Sequence, residues 1–185
     1  MPVTANWLTF SMTPLVLSYD GAVLGKVATG FFFKSKDQWY LVTNWHVLSG
    51  RNPRTGQPIH SSGGVPNTCS FALPAFDGVN VQWHHKKFNL GDALLESANW
   101  IQHPEHGQNV DIAAFAIQET MPLQVRDVLD PAGHDELMWV DIGGEVFLPG
   151  YPLGLTAGGA LPVWKRASLA SSTEFGFGAD KHLLV

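Results

Sequence analysis

One histidine and one aspartate in this chain lie where a proton-transfer pair would need them. His46 follows the apolar run 39–43, so its imidazole is expected at a strand end, held by core neighbours on either side. Asp111 begins a second apolar run, 111–117, and a carboxylate that enters a buried strand needs a partner to offset its desolvation. An imidazole N–H is a suitable partner, which makes His46 a candidate general base.

The two side chains have complementary protonation chemistry. The Asp111 carboxylate would accept a hydrogen bond from one imidazole nitrogen of His46 and fix the tautomer of the ring. The other nitrogen would then be able to take a proton from a hydroxyl or a thiol, as in acyl-transfer enzymes that activate a nucleophile. A single histidine is more often structural than catalytic, so the interpretation depends on the elements that surround the pair.

Other residues of reactive type have simpler structural interpretations. His84 and His85 are adjacent, so on a strand they point to opposite faces, and the segment 103–106 lacks the register of a helical zinc site. Cys69 lies in a predicted strand and is interpreted as a buried structural thiol. The glycines of 154–159 are not followed by the Lys-Ser or Lys-Thr of a phosphate loop. The sequence therefore predicts no metal site and no cofactor.

Length and composition limit the classes of protein that the chain can be. Its 185 residues suffice for one domain or for a compact pair of subdomains. A hydrophobic content of 45%, only 15% charged residues, 19 glycines and 12 prolines indicate a globular, turn-rich protein. The net charge of -5 gives no basic field, and no cluster of basic residues is longer than Lys86 and Lys87, which argues against nucleic acid as a partner.

Short runs rich in β-branched and aromatic residues, bounded by turn residues, recur along the chain and predict an all-β fold. They span 15–19, 22–29, 30–34, 39–43, 68–73, 79–84, 110–117, 144–148 and 161–170. No long helical period interrupts them. The segment 49–66, rich in Gly, Pro, Ser, Asn and Arg, is predicted to be a surface loop.

Prolines, aspartates and a glycine interrupt the strand pattern between residues 119 and 141. We therefore expect a first β unit over residues 1–125, which carries the histidine and the aspartate, and a shorter second unit over residues 126–185. Glycines at 143, 144, 150, 154, 158 and 159 predict tight turns and close backbone approach in the second unit.

The cellular compartment is inferred from the single cysteine and from the N-terminal residues. Cys69 has no partner for an internal disulfide, which favours a reducing compartment. Residues 1–20 carry no Lys or Arg before their apolar positions and are interrupted by prolines, so they fit neither a signal peptide nor a membrane span. We expect a cytoplasmic protein with no membrane partner.

Four segments, taken in chain order, resemble the trypsin-like serine peptidase superfamily in its disulfide-poor, bacterial-type branch. They are 28–32, 41–47, 100–104 with 111–113, and 146–154, and the resemblance extends over most of the chain from Val27 onward. In that family the histidine of a Thr-x-x-His-Val type motif is the general base, and the aspartate of an Asp-Ile-Ala type motif orients it. The resemblance assigns these roles to His46 and Asp111. It also implies a trypsin-like double β-barrel with the active site between the barrels, and a peptide or protein substrate.

The chain departs from the family pattern at the nucleophile. The family supplies its serine and part of the oxyanion hole from a Gly-x-Ser-Gly loop, and no such loop occurs in this sequence. Ser168, Ser171 and Ser172 lack the flanking glycines. In one explanation the serine lies beyond Val185, so the second barrel is incomplete here and its open edge is available for association. In the other, the chain is a non-catalytic relative that binds peptides or proteins on a peptidase-like scaffold.

Overall fold

Antiparallel β-strands dominate a computed structural model of the chain, which describes residues 6–25, 27–76, 80–91, 97–122, 124–129, 141–157, 159–172 and 174. The strands are β1 (Met12–Tyr19), β2 (Ala22–Val23), β3 (Ala28–Ser35), β4 (Gln38–Thr43), β5 (Thr68–Phe76), β6 (Val81–Asn89), β7 (Ile101–Gln102), β8 (Ala113–Ile117), β9 (Glu145–Gly150) and β10 (Val163–Ser168). The helices that the described residues show in full are α1 (Trp45–Ser49) and two short 3-10 segments, Trp7–Ser11 and Pro152–Gly154. The predicted all-β class is confirmed.

The first eight strands form one sheet. Its order is β6-β5-β1-β3-β4-β8-β7, with β2 paired to β1, and the neighbouring strands are antiparallel. The two strands at the ends of this order, β6 and β7, are consecutive in the chain. They do not pair with each other in the described part of the chain, so a closed barrel is not seen.

A two-residue turn connects β1 to β2. Asp20 and Gly21 join β1 to β2 with φ angles of 47° and 85°. Positive φ at both central residues is the type I′ geometry that Asp-Gly favours and that matches the twist of a hairpin. The predicted strand over 22–29 is interrupted, because the chain turns again at Gly25 (φ 75°) and β3 begins only at Ala28. A glycine at a bend is the physical reason for this difference from the prediction.

The core lies on the inner face of this sheet. Buried side chains alternate along the strands, as expected for a sheet with one covered face. The Phe115 ring stacks on Phe88 with centroids 3.9 Å apart and lies at a 57° tilt to Phe71. At Gly30 a β-carbon would lie 2.7 Å from Cδ2 of Leu41, so a larger residue there would displace the Leu41 side chain. The apolar residues of the core cluster are Leu15, Leu17, Phe32, Leu41, Trp45, Leu48, Cys69, Phe71, Leu73, Leu90, Trp100, Ala113, Phe115, Ile117 and Val125.

A second sheet of two strands, β9 and β10, is attached to the first sheet at Thr29. The backbone N–H of Tyr151, directly after β9, donates to Thr29 Oγ1 at 3.0 Å. The carbonyl of Thr29 accepts a hydrogen bond from the Thr43 hydroxyl at 2.8 Å. Thr29 therefore connects the end of β9 to the end of β4. The predicted strands over 144–148 and 161–170 are observed with shifted ends.

The segment between α1 and β5 has no strand or helix of its own, as predicted, but it is anchored by hydrogen bonds. The N–H of Ile59 donates to the carbonyl of Gly50 at 2.8 Å, and the N–H of Gly56 donates to the carbonyl of Asn52 at 2.8 Å. The guanidinium of Arg51 donates to the carbonyl of Gly56 at 3.0 Å. The loop therefore has a defined path over the surface of the sheet.

Gly50, which ends α1 in the left-handed conformation (φ 62°), tests the attachment of this loop. A β-carbon there would also lie far inside van der Waals contact with Cδ of Pro66. Gly50→Ala is expected to lower the free energy of unfolding by about 2–4 kcal/mol, from left-handed strain plus overpacking. Urea unfolding followed by tryptophan fluorescence measures it.

Gly56 provides the matched control, because it has a similar φ of 68° and open space around its α-carbon. Gly56→Ala should cost about 1 kcal/mol, the strain alone. Equal losses of unfolding free energy in the two variants would show that contact with Pro66 does not constrain the loop.

Candidate functional site

His46 is placed by the burial of its neighbours. The chain leaves β4 at Thr43 and enters the single turn of α1, in which Trp45 and Leu48 are almost completely buried. The indole Nε1–H of Trp45 donates to Gln102 Oε1 on β7 at 2.7 Å. These contacts fix the orientation of the turn, so the His46 side chain is directed to the surface, where it is half-buried. The expected position at a strand end is therefore corrected: His46 lies on a short helix directly after the strand.

Asp111 lies against His46 through two hydrogen bonds. Oδ2 of Asp111 is 2.7 Å from Nδ1 of His46, and Oδ1 accepts from the backbone N–H of His46 at 2.9 Å. The structure therefore brings together the two residues that the sequence singled out. Strand β8 begins at Ala113, so Asp111 precedes the strand by two residues and does not open it as expected. Outside the ladder, its side chain is able to turn toward α1.

Asn44 is a third member of the arrangement, and sequence reasoning missed this residue. Its side-chain amide donates to Oδ2 of Asp111 at 3.2 Å and to the Asp111 carbonyl at 3.1 Å. The carboxylate thus accepts from Asn44 and twice from His46. The only sequence signal was the position of Asn44 just ahead of the Trp-His pair, which equally suits a helix cap. It makes no side-chain cap hydrogen bond to α1.

The hydrogen bonds determine the proton positions on His46. A carboxylate only accepts hydrogen bonds, so Nδ1 of His46 carries the proton that is directed at Asp111. In the neutral ring Nε2 is then an acceptor. Nε2 has no hydrogen-bond partner among the described residues. This nitrogen is therefore available to take a proton from an incoming group, which is the chemistry of a general base.

Two concave surfaces flank the pair. A cleft of about 480 Å³ includes His46 and Val47 on one wall and Ile59 to Ser61 of the loop on another. A second, more polar cavity of about 910 Å³ lies beside Asp111 and Asn44 and includes Arg54. The base therefore borders a space large enough for part of a ligand.

The remaining residues of reactive type lie elsewhere. Cys69 is completely buried in β5, where it faces Leu17 of β1 in the strand register, as predicted for a structural thiol. His103 accepts hydrogen bonds at Nδ1 from the N–H groups of Glu105 and His106, and its ring stacks on that of His106, so both are turn residues. The three late serines, Ser168, Ser171 and Ser172, make no hydrogen bond with His46 in the described structure.

A scan of the chain against models of known protein families finds no match. A search of curated proteins finds no match either. No helix in the described part of the chain is long and apolar enough to cross a membrane. The functional conclusion therefore depends on the geometry of the site.

The tautomer of His46 provides a test of the pair that does not require activity. We expect neutral His46 to carry its proton almost entirely on Nδ1, and Asp111→Ala to shift the ring toward the tautomer mixture of a free imidazole. Long-range ¹H–¹⁵N NMR correlations in alkaline solution measure both populations. Asn44→Ala, which leaves the 2.7 Å contact in place, should retain the wild-type tautomer. An unchanged tautomer in Asp111→Ala would contradict the orienting role of the aspartate.

Burial makes Cys69 chemically inert. Desolvation raises the pKa of its thiol from 9.0 to about 12, so the thiolate is scarce in the folded chain at pH 9. Iodoacetamide should therefore label Cys69 rapidly in the urea-unfolded chain and at least 100-fold more slowly in the native chain. The stability that the neutral thiol contributes is present below pH 9 and is lost as the pH rises toward 12. Mass spectrometry measures the extent of labelling. Rapid labelling of the native chain would contradict the burial of Cys69.

Proposed function

We propose that the chain carries the general base and the orienting acid of a serine endopeptidase of the trypsin-like class. The observation that carries the proposal is the 2.7 Å contact between Asp111 Oδ2 and His46 Nδ1, which leaves Nε2 free beside an open cleft. The backbone N–H of His46 donates a second hydrogen bond to Asp111, which orients the carboxylate. In a Ser-His-Asp triad the histidine and aspartate perform these two functions.

The arrangement of the strands supports the proposal. The sheet is an antiparallel array whose two end strands, β6 and β7, follow one another among the described strands, an order that suits a sheet curving back on itself. The separate pair β9 and β10 meets the first sheet at Thr29, close to the end of β4 and hence to α1. We propose that this pair belongs to a second barrel and that the active site lies between the two units.

The proposed reaction is acyl transfer to a serine. His46 Nε2 takes the hydroxyl proton as the serine oxygen bonds to the carbonyl carbon of the peptide. The same proton then passes to the leaving amine as the C–N bond breaks, and an acyl-enzyme remains. Water, activated by His46 in the same way, releases the acid and restores the serine. Asp111 stabilises the imidazolium in each step. We place the serine outside the described residues, beyond Val185.

A second candidate function is peptide binding without cleavage. The observation that favours it is that Nε2 of His46 has no hydroxyl or thiol partner in the described part of the chain. In this case the cleft beside His46 would hold a peptide, and the histidine would donate or accept a hydrogen bond with the bound backbone. The two candidates differ in whether a serine approaches Nε2.

Activity measurements separate the two candidates. The 185-residue chain and a version continued through the coding sequence after Val185 are compared on casein and with a serine-reactive phosphonate. We expect the continued chain to cleave casein and to be labelled at one serine, and the 185-residue chain to do neither. In the continued chain His46→Ala should lower kcat by about 10⁶-fold and Asp111→Asn by about 10⁴-fold.

Asn89→Ala, on the far edge strand β6, is the control and should leave kcat unchanged. Cleavage that survives His46→Ala would refute the assignment of the base. Labelling of the 185-residue chain at Ser168, Ser171 or Ser172 would refute the assigned location of the nucleophile. A continued chain that binds peptides without cleavage or labelling would support the binding function.

A further inference from the structure

The cleft beside His46 is built by four separate segments of the chain. It is lined by Leu17 of β1, by residues just before and at the start of β3, by α1 with Gly50, and by the loop after α1. The lining residues are Leu17, Leu24, Gly25, Ala28, His46, Val47, Gly50, Ile59, His60, Ser61, Gly64 and Pro66. Its volume of about 480 Å³ falls in the range of roughly 300–1,000 Å³ that is usual for ligand pockets.

The walls of the cleft are held by contacts within the chain. The N–H of Ile59 is bonded to the Gly50 carbonyl at 2.8 Å, which holds the loop next to α1. Gly64 lies so close to Leu24 that a β-carbon would be 3.0 Å from Leu24 Cδ2. The His60 ring is held at the rim by Ser62, whose hydroxyl lies 2.7 Å from Nδ1. A pocket with fixed walls loses little entropy when it binds.

The chemistry of the lining favours an apolar ligand. Six of the lining side chains are aliphatic or proline: Leu17, Leu24, Ala28, Val47, Ile59 and Pro66. The described lining includes no carboxylate, lysine or arginine, so a charged side chain would lose hydration without meeting an opposite charge among these lining residues. Ile59 is 56% exposed, so its side chain is free to cover a ligand and lose solvent contact in doing so.

We propose that this cleft is a side-chain pocket on the first-unit side of the site and takes one large apolar side chain, of the leucine, methionine or phenylalanine type, from a peptide. This inference rests on the proposed peptidase function, because His46 is both the base and a wall of the cleft. A side chain seated against Val47 and Ile59 places its own backbone next to His46. The selected residue is therefore one that lies close to the peptide bond to be cleaved.

Binding of short peptides to the 185-residue chain tests the pocket without requiring catalysis. The probes are blocked alanine pentapeptides that carry leucine, phenylalanine, aspartate or alanine at the centre. We expect the leucine and phenylalanine peptides to bind about 10- to 100-fold more tightly than the alanine peptide, and the aspartate peptide to bind no better than alanine. Methyl NMR should show shifts at Ile59, Val47 and Leu24 with the apolar peptides.

A carboxylate introduced at the mouth of the cleft should change the preference from an apolar to a basic side chain. Ile59→Glu is expected to weaken leucine-peptide binding at least tenfold and to create binding of a central-arginine peptide. The control is Ile142→Glu, because Ile142 is similarly exposed (61%) and does not line the cleft. It should leave every affinity unchanged. Equal effects of the two variants, or no leucine-dependent methyl shift at millimolar peptide, would overturn the proposal.

Failure of the pocket and failure of the peptidase function give different results. In one outcome, the continued chain cleaves peptides through His46 without a preference for an apolar residue, and the Ile59→Glu variant cleaves them as the wild type does. This outcome would refute the pocket and leave the peptidase function supported. If leucine peptides bind in the cleft but no version of the chain cleaves them, the peptidase function is refuted and the pocket is supported as a peptide-binding site.

Discussion

The burial of Trp45 is the contact on which the geometry of the site depends. Its side chain is completely buried in the core, and its indole N–H is satisfied by Gln102 on β7, which together fix the position and rotation of α1. His46 is the next residue, and its direction follows from that of Trp45. The strand β7 that receives the indole also pairs with β8, which is preceded by Asp111. A single buried side chain therefore fixes the distance between the two polar residues at the surface.

The contact between His46 and Asp111 contributes orientation more than stability. Their side chains are 40% and 37% exposed, and ion pairs at such positions add little to the free energy of folding because solvent screens them. The carboxylate nevertheless accepts three N–H donors, two from His46 and one from Asn44. A group held by that many short contacts has few rotamers, and a proton acceptor with few rotamers is preorganised for its reaction.

Much of the sheet follows from local sequence patterns, whereas the details of the site do not. The apolar runs that became β4, β5 and β8 are recognisable because alternation and β-branched composition are local signals. The pairing of His46 with Asp111 was found because both residues adjoin such runs. Asn44 and Ile59 were missed because their roles depend on contacts with residues distant in the chain. The short α1 was missed because a single turn leaves no helical period in the sequence.

Thr29 has a consequence for the cooperativity of the molecule. Its hydroxyl oxygen accepts from Tyr151, and its carbonyl accepts from Thr43, so one residue is bonded both to the small sheet and to the strand that leads into α1. Detachment of β9 would break the hydrogen bond from the Tyr151 N–H to the Thr29 hydroxyl oxygen. The first sheet would then lose a hydrogen-bond partner at Thr29, at a cost in free energy. Local opening of the small sheet is therefore thermodynamically linked to the β4 end, and amide hydrogens in the two regions share part of their protection against exchange.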